Sequence, residues 1–242
     1  MQLFEVGGCV RDEILGIPSK DIDFTVVLSP DNYADPFGHM VWLLKERGFT
    51  IFVESPEFLT ARGRFPKNHS QYPNMAADFV LARKESDYSD GRRPDKVVPG
   101  TLGDDLKRRD FTVNAIAKDM AGGLIDPHNG VRDIRLKVIK AVGNPMERLQ
   151  EDALRALRAV RFSVTKGFHI ESTLYLSIES PVIHDAIVNN ISDERIADEL
   201  SKMFRFDTLK SLSVLKDFPS LSEAIFSGKV SLDATLKTKG RG

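Results

Sequence analysis

The sequence contains one cysteine, Cys9, and one tryptophan, Trp42, in 242 residues. A lone cysteine excludes an internal disulfide and a cysteine-rich zinc site, and it suits a reducing compartment. Long apolar runs are missing as well. No uncharged stretch is long enough to span a bilayer, and the opening MQLFEVGGCVRD lacks the basic-then-apolar order of a secretory leader, so a cytoplasmic protein that makes no membrane contact is expected. Neither sign of charge is in excess: 34 Lys and Arg face 35 Asp and Glu, a formal charge of −1. No overall positive field therefore announces a nucleic-acid partner, and any such contact has to be local. The histidines at 39, 69, 128, 169 and 184 are scattered, without metal-ligand spacing.

The composition itself is that of a folded protein, with 41% hydrophobic and 29% charged residues, and the length allows one or two domains. Short β-branched and aromatic runs at 3–6, 22–28, 49–53, 58–62 and 78–82 predict strands. Between the second and third, 31–48 carries Phe37, Val41, Trp42 and Leu44 at helical spacing, with Trp42 assigned to the core and Gly48 as the stop. This predicts a small mixed sheet with a covering helix. From Thr101, a candidate N-cap, the period changes, and Leu102, Leu106, Val113 and Ile116 suit one helix face. GGLIDPHNG reads as turn, short strand and turn, and LKVIKAVG as a further strand-like piece. Helices are expected over 145–164, over 172–189 with an interruption at Pro181, and over 192–206 behind Ser192. The composition shift near 144 divides the chain into 1–143 and 144–242.

The chemistry begins at Gly7-Gly8-Cys9-Val10-Arg11-Asp12. Two glycines between a strand and a helix let backbone amides approach a polyphosphate, the helix N-terminus adds favourable potential, and Arg11 is one turn in, within reach of a phosphate. Asp21 and Asp23 follow, two apart on a predicted strand and so on one face. Two such carboxylates repel each other unless a cation lies between them, and Mg²⁺ favours carboxylates combined with substrate phosphates. Taken singly, a Gly-Gly is a turn and an Asp-x-Asp a solvated strand end; their joint spacing favours metal-assisted phosphoryl or nucleotidyl transfer.

At this point the residues carry a resemblance. GGCVRDEILGIPSKDIDFTV is similar to the signature of the class II tRNA nucleotidyltransferase and bacterial poly(A) polymerase family, and KRRDFTVNAIAKD, LIDPHNGVRD, IKAVGNPMERLQEDALRALRAVRF and ISDERIADELSKMF resemble its successive motifs in order. The resemblance implies an α+β fold: a polymerase-beta-like nucleotidyltransferase head over 1–143, then an all-helical neck and a short helical remnant over 144–242. Typical members continue well beyond this length with helical domains that grip tRNA. The implied activity is two-metal transfer of CMP and AMP, from CTP and ATP, to the 3′ end of tRNA. An ATP-only poly(A) polymerase shares the same motifs, and a non-catalytic RNA-binding remnant is the reading from another class.

By the same resemblance, Asp21 and Asp23 match the catalytic Mg²⁺ ligands, with Asp78 the candidate third carboxylate or, read alone, an exposed strand-end residue. Arg108, Arg109, Asp110 and Asn114 fall in the motif that contacts the nucleotide's sugar and phosphates. Without the family they read as a solvated helix face with Arg109 and Asp110 paired. Asp152 and Arg155, within EDALRALR beside Arg158, match the family's amino-acid template for the incoming base. Read alone they are an i,i+3 ion pair on one helix. Cytosine and adenine each present an amino donor beside a ring-nitrogen acceptor, which an Asp acceptor and an Arg donor can read together. The segment 84–100, with Arg92 or Arg93 as a participant, resembles a mobile loop linked to the switch from C to A addition; an exposed linker is the alternative. The segment 126–133 resembles a motif that supports motion between head and neck and, by itself, is a turn.

Overall fold

Alternating burial along short apolar runs makes the first part of the chain a sheet. In the computed structural model, which describes residues 1–19, 21–28, 33–86, 88 and 94–231, β1 (Gln2–Val6) leads through Gly7 into α1 (Gly8–Ile14) and then to β2 (Asp23–Val27). Next come α2 (Pro36–Glu46), β3 (Thr50–Ser55), β4 (Thr60–Arg64) and β5 (Ala76–Leu81). Then β6 (Arg83–Ser86) and β7 (Lys96–Pro99) form a separate hairpin, followed by α3 (Leu102–Lys107), β8 (Ala117–Asp119) and β9 (Leu124–Ile125). The seven-stranded sheet runs β3-β4-β5-β2-β1-β8-β9. Its central β2 pairs antiparallel with β1 and parallel with β5, the register setting Asp23 opposite Asp78.

One face of this sheet is closed by α2. Asp35 caps the helix by accepting from the Gly38 amide at 2.9 Å, Pro36 occupies the permitted first turn, and Gly48, at φ 82°, ends the segment. Phe37, Met40, Val41 and Leu44 are buried against Phe24, Phe49, Phe65 and Phe79, whose rings tilt and stack on one another. Each buried phenylalanine contributes roughly 2–3 kcal/mol of apolar transfer. Trp42 does not join them. It is 54% exposed and stacks on His39, because it follows Val41 by one position, which turns it about 100° from the buried stripe.

The remaining elements are α4 (Gly130–Leu136), β10 (Val138–Ile139), α5 (Pro145–Glu151), α6 (Leu154–Thr165), β11 (His169–Ile170), α7 (Ser172–Ile178), α8 (Pro181–Asn190), α9 (Asp193–Phe206), α10 (Thr208–Lys216) and α11 (Pro219–Phe226). They surround α6, which buries Leu154, Ala156, Leu157, Val160 and Phe162. That core is not confined to the helices beyond 144. Cys9 and Val10 of α1, together with Phe111, Val113 and Ile116, belong to it, so α1 and the 111–116 segment stand between the sheet and the helical part.

Three sequence expectations change here. The helix expected over 145–164 is two helices, broken at Asp152, which is extended (φ −154°, ψ 102°) and turns its carboxylate back to accept from the Leu154 amide at 3.1 Å. Only 102–107 of the 101–119 stretch is α-helical; Val113 and Ile116 are buried from a 3₁₀ turn at Thr112–Asn114 and its exit. And 126–133 is more than a turn, since α4 starts at Gly130, with Asp126 accepting from the amides of Gly130 and Val131. Among the described residues no helix is long and apolar enough to cross a membrane.

Candidate active site

An open cleft of about 510 Å³ lies where the β1–α1 turn, the 108–114 segment, α6 and α9 meet. Seven arginines and three aspartates line it, a strong local positive balance in a chain of net charge −1. It holds Gly7, Gly8, Arg11, Asp23, Arg108, Arg109, Asp110, Asn114, Asp152, Arg155 and Arg158, all of them candidates from the sequence. Two candidates lie outside the lining, Asp21 and Asp78. Arg92 and Arg93 lie outside the described residues.

The floor is the β1–α1 turn. Gly7 sits at φ 80°, and a Cβ there would meet Arg109 Nη1 at 2.9 Å, so glycine is needed both for the backbone and for the guanidinium lying over it. Arg11 is buried rather than projecting: it bonds Asp12 and donates to Asn114 Oδ1 at 2.6 Å. Asn114 in turn donates to Asp110 Oδ1 at 2.9 Å, and Arg158 donates to Asp110 Oδ2 at 3.1 and 2.7 Å. Burial pushes the Asp110 carboxyl up, but the Arg158 charge and these hydrogen bonds outweigh it and hold the group at about 2. Asp110 is thus bound across the cleft to α6, not to Arg109 as a solvated helix face would have it.

Arg109 and its neighbour Arg108 instead converge on Asp105, at 3.0 and 2.6 Å. The Asp105 side chain is fully buried, and the thread continues to the Thr25 hydroxyl on β2 at 2.8 Å and, through Arg108, to Glu85 of β6 at 3.2 Å. Burial opposes the Asp105 charge, yet the two guanidinium groups keep its carboxyl below its ordinary value.

Asp23 opens β2. Asp21 lies two residues earlier, just ahead of the strand, and its charge acts on the Asp23 carboxyl. The Asp23 residue reaches solvent, but its carboxyl is crowded by protein; this desolvation and the charges of Asp78 and Asp21 push it up against the pull of Arg109 and Arg62. Asp78 itself is engaged by Arg62 at 3.6 Å. Among the described residues no group of three or more His, Cys, Asp or Glu side chains is placed to hold a metal ion. The donors around Asp23 are nonetheless all carboxylate oxygens that repel one another, which suits a hard divalent cation completed by substrate phosphates.

On the helical wall the Asp152 and Arg155 side chains do not pair: at the helix interruption between α5 and α6 Asp152 is extended, and only the Arg155 amide reaches it, donating to its carbonyl at 3.0 Å. Asp152 accepts from Arg195 of α9 at 2.7 Å, and Arg155 donates to Glu151 at 2.6 Å and to the Arg148 carbonyl at 2.9 Å. Both side chains remain partly open to the cleft. Leu154, Arg161, Phe162 and Arg195 also line it, although sequence reading had not singled them out. Arg11, Arg158 and Arg161 surround the Phe162 ring at 4.9, 5.7 and 4.3 Å, and Arg161 is anchored on Glu199 at 2.5 Å. The available signal was periodicity: Arg161 and Phe162 follow Arg158 by three and four positions on α6.

The Poly A polymerase head domain model matches residues 3–140, more than half of the chain. The chain is 36% identical over 219 residues to a CCA-adding enzyme of Staphylococcus saprophyticus, covering 90% of this chain and 50% of that protein. It is 35% identical over 203 residues to one of Ligilactobacillus salivarius, with 84% and 45% covered. In three dimensions it is similar to the Bacillus stearothermophilus CCA-adding enzyme in complex with CTP (TM-score 0.72, 29% identity, 90% of this chain and 48% of that one). It is also similar to a tRNA nucleotidyltransferase complexed with a primer tRNA and an incoming ATP analog (TM-score 0.71, 29% identity, 94% and 60%). The chain spans about half the length of the curated relatives it matches.

Proposed function

Because this chain belongs to the poly A polymerase head-domain family, we propose that it is a template-independent nucleotidyltransferase that adds CMP and AMP, from CTP and ATP, to the 3′ end of tRNA. The observation that carries this reading is the arginine-lined cleft beside Asp23, which joins a glycine turn, an arginine cluster and, on the helical wall, an Asp and an Arg that both reach the cleft. The relatives named for CCA addition, and the neighbours bound to CTP or to tRNA with an ATP analog, support the choice of substrates. The lone Cys9, buried with its thiol on the Val6 carbonyl, suits a reducing cytoplasm, where such an enzyme would work.

In this reading Gly7 and Gly8 admit the triphosphate to the amides at the start of α1, and Arg109 and Arg108 take its negative charge. Asp110 and Asn114 face the ribose, Asp110 kept anionic and therefore a hydrogen-bond acceptor. Asp152 would accept from the exocyclic amine of cytosine or adenine while Arg155 donates to the adjacent ring nitrogen. Uracil and guanine would leave each of those groups opposite a like partner, at about 1–3 kcal/mol per unpaired buried group. Asp21 and Asp23 would hold Mg²⁺, with Asp78 beside them; when bound, the ion supplies charge neutralisation at the α-phosphate and favours ionisation of the RNA 3′-hydroxyl. The division into a head over 1–143 and a helical neck over 144–242 belongs to the same reading.

Incubating the purified protein with tRNA lacking its terminal nucleotides, Mg²⁺ and each labelled triphosphate separately tests it. Incorporation of C and then A is expected. Long A tails from ATP alone would establish a poly(A) polymerase instead, and no incorporation dependent on Asp23 would remove the enzyme reading.

A further inference from the structure

Asp105 lies outside the cleft lining, yet its buried carboxylate gathers the parts that the cleft depends on. Oδ1 accepts from Arg108 at 2.6 and 3.0 Å, and Oδ2 from Arg109 at 3.0 Å and Thr25 at 2.8 Å, so two donors fill each oxygen. Such a carboxylate does three things. It neutralises two guanidinium groups that would otherwise repel each other, it joins α3 to β2 two residues from Asp23, and it consumes Nη2 of Arg109.

What is left of Arg109 is informative. Its Nη1 lies over Gly7 and reaches the Asn114 carbonyl only at 3.5 Å, and its Nε is buried without a hydrogen-bond partner. A charged donor whose one acceptor is as distant as that of Nη1 is under-satisfied, which points to an acceptor that arrives with the ligand. The acceptor chemistry that suits a guanidinium Nη1 lying above a Gly-Gly turn is a phosphate oxygen.

We propose that Asp105 is a positioning residue for polyphosphate binding: by holding Nη2 of Arg109 it fixes Nη1 of that side chain over the Gly7–Gly8 turn, facing the phosphates. Asp105 does not touch the ligand and acts through Arg109. The inference rests on the nucleotidyltransferase reading, since it takes the cleft to be the triphosphate site.

The test is calorimetric binding of inorganic tripolyphosphate, which has neither base nor ribose, to the unaltered protein and to Asp105→Asn, Thr25→Val, Arg109→Ala and the Asp105→Asn/Arg109→Ala double variant, with a thermal melt of each. Asp105→Asn is expected to weaken binding about tenfold or more, and to add almost nothing once Arg109 is alanine. Thr25→Val breaks the same α3–β2 joint without touching a guanidinium, and is expected to lower the melting temperature while changing affinity less than about twofold. If Asp105→Asn does not fold, Asp105→Glu replaces it: the charge is kept, the carboxylate is displaced, and the same loss of affinity is expected. Equal binding by the Asp105 variant and the unaltered protein overturns the proposal alone, as does an equal loss in Thr25→Val, which would make Asp105 a packing residue. If the unaltered protein binds no tripolyphosphate, the cleft is not a triphosphate site, and the functional reading falls together with the proposal.

Discussion

The two walls of the cleft are built by opposite means. On the sheet side, short hydrogen bonds join Arg108 and Arg109 to Asp105 and Asn114 to Asp110, and both aspartates are buried and fully partnered. On the helical side, Asp152 and Arg155 stand at a helix interruption, each held by one ion pair to a separate partner, Arg195 or Glu151. The first wall is pre-set. The second is tied by contacts that can be exchanged for a ligand. A polyphosphate is common to every nucleoside triphosphate and is served by a rigid, positive wall, whereas a site that distinguishes bases needs an acceptor and a donor still open to the cleft.

The largest expected break between the walls lies at their shared edge. Asp23→Asn should lower nucleotide incorporation by about a thousandfold or more with the melting temperature retained, because the substitution removes charge without volume. A single-turnover assay with circular dichroism checks both halves, and retained incorporation would remove Asp23 from the chemistry. Next comes the bond across the cleft. Arg158→Ala leaves Asp110 buried without its cation and should cost about 2–3 kcal/mol in urea unfolding, below the full value for a buried pair because the guanidinium is one-third exposed. A loss under about 0.5 kcal/mol would mean that the walls are not coupled through this pair.

Acid separates the walls as well. A carboxyl held at about 2 when folded, below its ordinary 3.8, contributes stability that is present above 3.8 and lost as the pH falls from there toward 2. Unfolding free energies measured between those limits should drop by up to about 2 kcal/mol more in the unaltered protein than in Asp110→Asn. Parallel curves would contradict the depressed value. The subtlest contrast sets Arg109 against Arg155. Arg109→Ala should weaken all four triphosphates alike, while Arg155→Ala should narrow the preference for CTP and ATP over UTP by about tenfold, roughly 1–2 kcal/mol, with tripolyphosphate affinity unchanged. Exchange of these two phenotypes would reverse the assignment of the walls.

Much of the fold was legible because local physics specifies it. The Thr101 cap, the stop at Gly48 and the interruption at Pro181 are each set within a few residues, and they lie where the turn chemistry puts them. Trp42 was misread because helical spacing alone does not say which neighbour of a buried residue faces outward. The break at Asp152 was missed for a different reason. Leu149, Leu154 and Leu157 keep an apolar period across it, so the pattern looks continuous while the aspartate side chain takes the amide of Leu154 and ends one helix before the next.

Residue identity by itself determined the ordered motifs, the type of chemistry they suit and the family to which they belong, since glycines at a turn, clustered arginines and paired carboxylates keep their meaning without coordinates. Which charge answers which was decided only by the tertiary structure. Asp152 finds Arg195, 43 positions away, instead of Arg155, and Asp110 finds Arg158 instead of Arg109. Asp105, unmarked in the sequence, becomes the point where two arginines and the Asp23 strand meet. The physical reason is that ion pairs depend on distance and burial, and in a folded chain both are set by how helices and sheet pack, not by separation along the sequence.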